Sequence, residues 1–104
     1  MDISTLSQEE LQARCAYCHR VVGEDEECFG IGARARAELR GLLRAHEGQF
    51  FPLPMAGGRA LIAIAVPEHA PARREGYDLY FKGCSEECMR TLRDELRRGL
   101  SGTA

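Results

Sequence analysis

At 104 residues, with 44% apolar and 29% charged side chains, the chain has the composition of one globular domain and excludes an intrinsically disordered segment. Its net charge of −2 excludes an overall basic footprint for nucleic acid, although residues 1–33 carry seven acids against two bases and the remainder nine against twelve. The longest apolar run, Ala60–Pro67, is far too short to span a bilayer. Met1–Gln12 contains acids and lacks an apolar leader core, so the expected location is cytoplasmic, where thiols stay reduced.

Ser7-Gln8-Glu9-Glu10 fits a capping box, with Leu6 and Leu11 placed to staple a short helix that ends near Arg14. Cys15–His19 follows as a tight turn. Arg20–Val22 reads as a short strand, Gly23–Glu26 as an acidic hairpin turn, and Glu27–Ala33 as the returning strand, with Gly30 and Gly32 as its weak points. Ala35–His46 has helical composition, with an apolar stripe at Leu39, Leu42 and Leu43 and a cap at Gly48. Gln49–Met55 is extended, and Pro52 and Pro54 restrict it to the edge of a sheet. Ala56–Arg59 is a turn and Ala60–Val66 a strand that is apolar on both faces, as expected of a covered strand. Glu68–Gly76 reads as a polar, mobile loop and Tyr77–Phe81 as a strand. A final helix starts at Ser85, with Met89, Leu92 and Leu96 on one face and Arg90, Arg93, Arg97 and Arg98 elsewhere on its surface.

Five cysteines in a chain expected to be cytoplasmic point to metal ligation before disulfides. Four of them form two close pairs, Cys15-Ala16-Tyr17-Cys18 and Cys84-Ser85-Glu86-Glu87-Cys88. A two-residue spacer in a tight turn lets both sulfurs converge on one point. The second spacer is one residue longer, which suits a helix start: Cys84 lies just before the helix and Cys88 about one turn in. Ser85 is placed as the N-cap, and Glu86 and Glu87 add favourable charge to the first turn. A turn pair, a hairpin and a helix pair together spell a treble-clef arrangement around one structural zinc ion. Fold class is therefore α+β: a zinc core with an inserted helix and β-hairpin. A single domain covers 1–104, with a knuckle and hairpin over 14–33, an insertion over 34–76, and a strand and C-terminal helix over 77–100.

Gly83-Cys84-Ser85-Glu86-Glu87-Cys88, after Tyr80-Phe81, resembles the end of the TRASH, YHS and MYM-type treble-clef zinc domains, and Cys15–Cys18 resembles their first knuckle. The likeness covers about thirty residues at the two ends, with sixty-five residues between Cys18 and Cys84. It implies Cys15, Cys18, Cys84 and Cys88 as zinc ligands, and a role in heavy-metal sensing or trafficking or in protein–protein contacts.

Other readings are weaker. Cys15–His19 also spells a haem-attachment motif, but that chemistry follows export and leaves Cys84 and Cys88 unexplained. His19 reads as a neighbour of the metal rather than a ligand, and Cys28 as a half-buried residue or an accessory thiol. Arg36, Arg40 and Arg44 recur every four residues, a stripe that suits phosphates or, more simply, a solvated face beside Glu38 and Glu47. Four thiolates close a zinc shell, and no catalytic constellation accompanies them, so an enzyme is not expected. The expected function is a protein-interaction or regulatory module built on structural zinc. The alternatives are metal handling or a nucleic-acid-binding zinc finger, with the chain a monomer or a homodimer.

Overall fold

The computed structural model describes residues 3–23, 25–35, 39–55 and 60–99. In chain order these form a 3-10 turn (Ile3–Thr5), α1 (Gln8–Gln12), β1 (Phe29–Ala33), α2 (Arg40–Ala45), β2 (Phe50–Pro54), β3 (Ala60–Ala65), α3 (Pro71–Arg74), β4 (Leu79–Gly83) and α4 (Glu86–Gly99). The four strands make one antiparallel sheet in the order β1-β4-β3-β2. The mixed α and β content expected from the sequence is present; the turn at 56–59 and residues Arg36 and Glu38 lie outside the described residues.

Capping at α1 takes the form its sequence dictates. Ser7 Oγ accepts from the Glu10 amide at 3.2 Å, and Glu10 Oε1 accepts from the Ser7 amide at 3.1 Å. These bonds hold the Glu10 carboxyl below the usual carboxylate range. Gln8 then reaches across to β2: its Nε2 donates to the Phe50 carbonyl and its Oε1 accepts from the Phe50 amide, both at 2.7 Å. One side chain thereby pairs the backbone edge that Pro52 and Pro54 leave partly without donors.

Strand alternation sorts the sheet into two faces. Phe51, Leu53, Leu61, Ala63, Leu79 and Phe81 are buried on one of them. There Met89, Leu92 and Leu96 of α4, at helical spacing, join the same core, together with Leu43 of α2. On the opposite face Tyr80 lies over Gly30, where a Cβ would stand 1.7 Å from the tyrosine hydroxyl. Tyr77 sits similarly over Gly32. The two glycines that weaken β1 as a sequence pattern are seats for aromatic rings.

Three local expectations need correction. The strand at 29–33 does not return on Arg20–Val22: it pairs with β4, and Val21 makes only an isolated bridge to Arg14. β4 offers a full five-residue ladder, from Phe29↔Gly83 to Ala33↔Leu79, whereas 20–22 is too short to compete. Secondly, the regular helix described in the 35–46 segment is the shorter Arg40–Ala45. Thirdly, the 68–76 segment is not an open loop. Pro71 opens the short helix α3, and Arg73 anchors it through a 3.1 Å ion pair with Asp78 and a 3.0 Å bond to the Val66 carbonyl.

Candidate metal centre

β3 and β4 pair directly only at Ile64↔Tyr80 and Ala65↔Leu79. Beyond that point they part, and the first cysteine turn fills the gap. The Ala16 amide donates to the Lys82 carbonyl at 2.7 Å, and the Ile62 amide donates to the Ala16 carbonyl at 3.1 Å. A single residue of the knuckle thus acts as a short strand wedged into the sheet. The knuckle itself is a tight hairpin, closed by Cys15 N–H to the Arg20 carbonyl (2.8 Å) and Val22 N–H to the Ala13 carbonyl (2.7 Å). Lys82 adds a bond from its Nζ to the Gln12 carbonyl.

His19 closes the turn. Its amide donates to the Cys15 carbonyl at 3.0 Å, and its φ of 66° lies in the left-handed region, which histidine adopts more readily than most residues. The ring is committed elsewhere than the sulfurs: Nε2 lies 2.9 Å from the Ala60 carbonyl at the start of β3. His19 is a clamp between knuckle and sheet.

The second pair comes from the β4–α4 junction. Cys84 follows the last residue of β4 directly, and Ser85 Oγ accepts from the Cys88 amide at 3.1 Å, which starts α4. Gly83 makes the junction tight enough. A Cβ there would stand 1.9 Å from Met89 Cε, so the absence of a side chain lets the first turn of α4 settle against the end of β4.

These two devices bring Cys15, Cys18, Cys84 and Cys88 together, with all four sulfurs within 4.8 Å of one another. Cys18 and Cys84 Sγ are 3.6 Å apart, as are Cys84 and Cys88 Sγ. A disulfide requires about 2.05 Å, so these are free thiols. Tetrahedral zinc at about 2.3 Å from each sulfur puts the sulfurs about 3.8 Å apart, and the observed spacing fits that size. Cys15 is fully buried, Cys84 and Cys88 are half-buried and Cys18 is exposed, so the cluster has an inner wall and an open side.

The thiols are electrically unequal. Burial pushes the Cys84 thiol up, but hydrogen bonds from Cys18, Cys88, Arg20 and Cys15 outweigh it and bring the value down to about 7. Burial pushes Cys88 up to about 12, against the lowering effect of its bond with Ser85. Cys18 is also raised, chiefly by burial, although the Arg20 backbone amide donates to its sulfur.

Cys28 is exposed and stands apart from the four-sulfur group, so it is no part of this shell. Arg40 and Arg44 line a cleft together with Glu47, Glu68 and Arg73, a mixed-sign surface rather than a uniform basic stripe. The residue that spacing did not reveal is Arg20, two positions after Cys18. No regular pattern marks an arginine there; its carbonyl accepts from the Cys15 amide at 2.8 Å, and its guanidinium pairs with Glu26 at 2.7 Å. Among the described residues no helix is long and apolar enough to cross a membrane. No family model matches the chain, and no match was found among curated proteins or solved structures.

Proposed function

We propose that Cys15, Cys18, Cys84 and Cys88 bind one zinc ion whose role is structural, and that the chain is a non-enzymatic zinc module of the treble-clef type. The observation that carries this reading is the convergence of four free thiols within 4.8 Å, from segments 66 residues apart in sequence. Soft thiolates in a tetrahedral set suit zinc, or iron in sulfur-rich sites. Zinc fits the closed four-ligand shell of structural sites, which leaves no position for water or substrate. When bound, the ion would supply a cross-link between the Cys15–Cys18 knuckle and the β4–α4 junction. It would also hold the Ala16 wedge between β3 and β4. In small zinc domains such binding is folding free energy.

A second reading, metal handling, is favoured by the exposure of Cys18, which gives a competing ligand a place to attack. Exchange kinetics on purified protein separate the two. A structural site holds one zinc per chain and resists mild chelators over hours, whereas a trafficking site releases it within minutes. Fully folded wild-type protein free of any metal would overturn both. Binding of a protein partner, the remaining expectation from the sequence, is a role such a module would serve through its surface.

A further inference from the structure

The sheet treats its two edges differently. At β2 the outer edge is closed: Pro52 and Pro54 lack donors, and Gln8 takes up both backbone groups of Phe50 at 2.7 Å. At the other end β1 pairs with β4 on one side, and among the described residues nothing pairs with its outer side. Phe29-Gly30-Ile31-Gly32-Ala33 carries neither proline nor charge, two devices that commonly guard an edge. A strand so placed turns the N–H and C=O groups of alternate residues outward. Beside this edge runs a groove of about 320 Å³. Phe29, Ile31 and Met89 supply its apolar lining, and Glu86, Arg90 and Arg93 of α4 its polar lining. Phe29 and Ile31 are half-buried and lie on the sheet face that packs against α4, like Phe81, the partner of Ile31. Arg90 and Arg93 are exposed, and among the described residues neither guanidinium has an ion-pair or hydrogen-bond partner.

We propose that the outer edge of β1 and this groove form a docking site for an extended acidic segment of another protein, which joins the sheet as a fifth strand. The proposal goes beyond the metal reading and does not depend on it. Backbone pairing along an open edge supplies affinity of any sequence, and the pockets that receive alternate side chains supply selectivity. Residues on one face of a strand recur about every 7 Å. An apolar side chain can therefore enter between Phe29, Ile31 and Met89 while a carboxylate two residues on meets an arginine of α4. Two guanidiniums against the one carboxylate of Glu86 leave the helix wall net positive, and a planar guanidinium takes a carboxylate through two parallel N–H groups. A second copy of the chain fits this edge less well. Two-fold pairing of β1 on β1 places both α4 helices on one face of the joined sheet, with their arginines turned toward the same seam, where like charges repel.

The test titrates the full, isotope-labelled chain, prepared with zinc, with the peptide acetyl-Thr-Val-Thr-Glu-Thr-Glu-Thr-amide, which carries valine and both glutamates on one strand face. The reverse sequence is titrated beside it, so that either strand direction is covered. One of the two should shift the amide resonances of residues 29–33 and 86–93 saturably. Lysine in place of both peptide glutamates, or Arg90→Gln with Arg93→Gln in the protein, should weaken binding by about tenfold. N-methylation of alternate peptide residues should abolish binding for one of the two alternate sets only, since only one set donates to β1. The peptide series decides the matter should the double variant not fold. No binding by either peptide at about 1 mM, saturation without shifts at 29–33, or equal tolerance of both methylated sets overturns the proposal. Equal affinity for the lysine peptide overturns its acidic partner. A dimer of the chain alone at micromolar concentration, with its contact shifts at 29–33, overturns it in favour of a second copy. Zinc content measured on the same sample reports on the metal reading separately.

Discussion

His19 sets two opposing terms against each other, and substitution there separates them. Its backbone is left-handed at φ 66°, and its Nε2 bonds the Ala60 carbonyl at 2.9 Å. His19→Ala removes the ring bond, worth about 1 kcal/mol net, and keeps the conformational cost of about 1–2 kcal/mol that a non-glycine residue bears in this region. His19→Gly loses the same bond but relieves that cost, against about 0.5–1 kcal/mol of added chain entropy in the unfolded state. The glycine variant should therefore lie within about 1 kcal/mol of wild type, and above the alanine variant by about 1 kcal/mol. For a domain near this size that difference corresponds to about 4–8 °C in Tm. Thermal unfolding of the metal-loaded proteins at one zinc concentration measures it. An alanine variant as stable as the glycine variant would refute the assignment of a strained turn. An alanine variant as stable as wild type would remove the His19–Ala60 clamp from the account.

Cys88→Ser should lower the thermal midpoint far more than Cys28→Ser, since only the first opens the four-sulfur group; equal midpoints would contradict the ligand set. Gln8→Ala should cost about 1–2 kcal/mol through its two bonds to Phe50 and raise self-association, read by denaturant midpoint and sedimentation, because it uncovers the β2 edge. Metal affinity should fall as pH falls. Cys18 and Cys88 are raised above the ordinary thiol value and are protonated at neutral pH, so binding must expel their protons, while Cys84 at about 7 loses its proton first.

Much of the site was legible because each part rests on local chemistry. Ser7 and Glu10 form their capping box, and Ser85 caps α4 at the Cys88 amide, since both depend on neighbours three residues away. The apolar run at 60–66 became β3, and Pro52 and Pro54 held β2 to the edge. The cysteine pairs were readable for the same reason, as each spacer is a property of one turn. What failed was pairing at long range. Phe29–Ala33 chose β4 over the nearer Arg20–Val22, a choice made by ladder length and by the seating of Tyr80 and Tyr77 over glycines. The wedge at Ala16 was invisible, because alanine carries no mark of a backbone that bonds two different strands. Arg20 was hidden likewise: its carbonyl closes the knuckle on the Cys15 amide, a backbone bond that no side-chain pattern marks.

X-ray absorption at the zinc edge of the purified, loaded protein tests the central claim most directly. Four clustered free thiols predict a shell of four sulfurs at about 2.3 Å with no nitrogen or oxygen neighbour. A shell that includes nitrogen or oxygen, fewer than four sulfurs, or no zinc bound at all would contradict it.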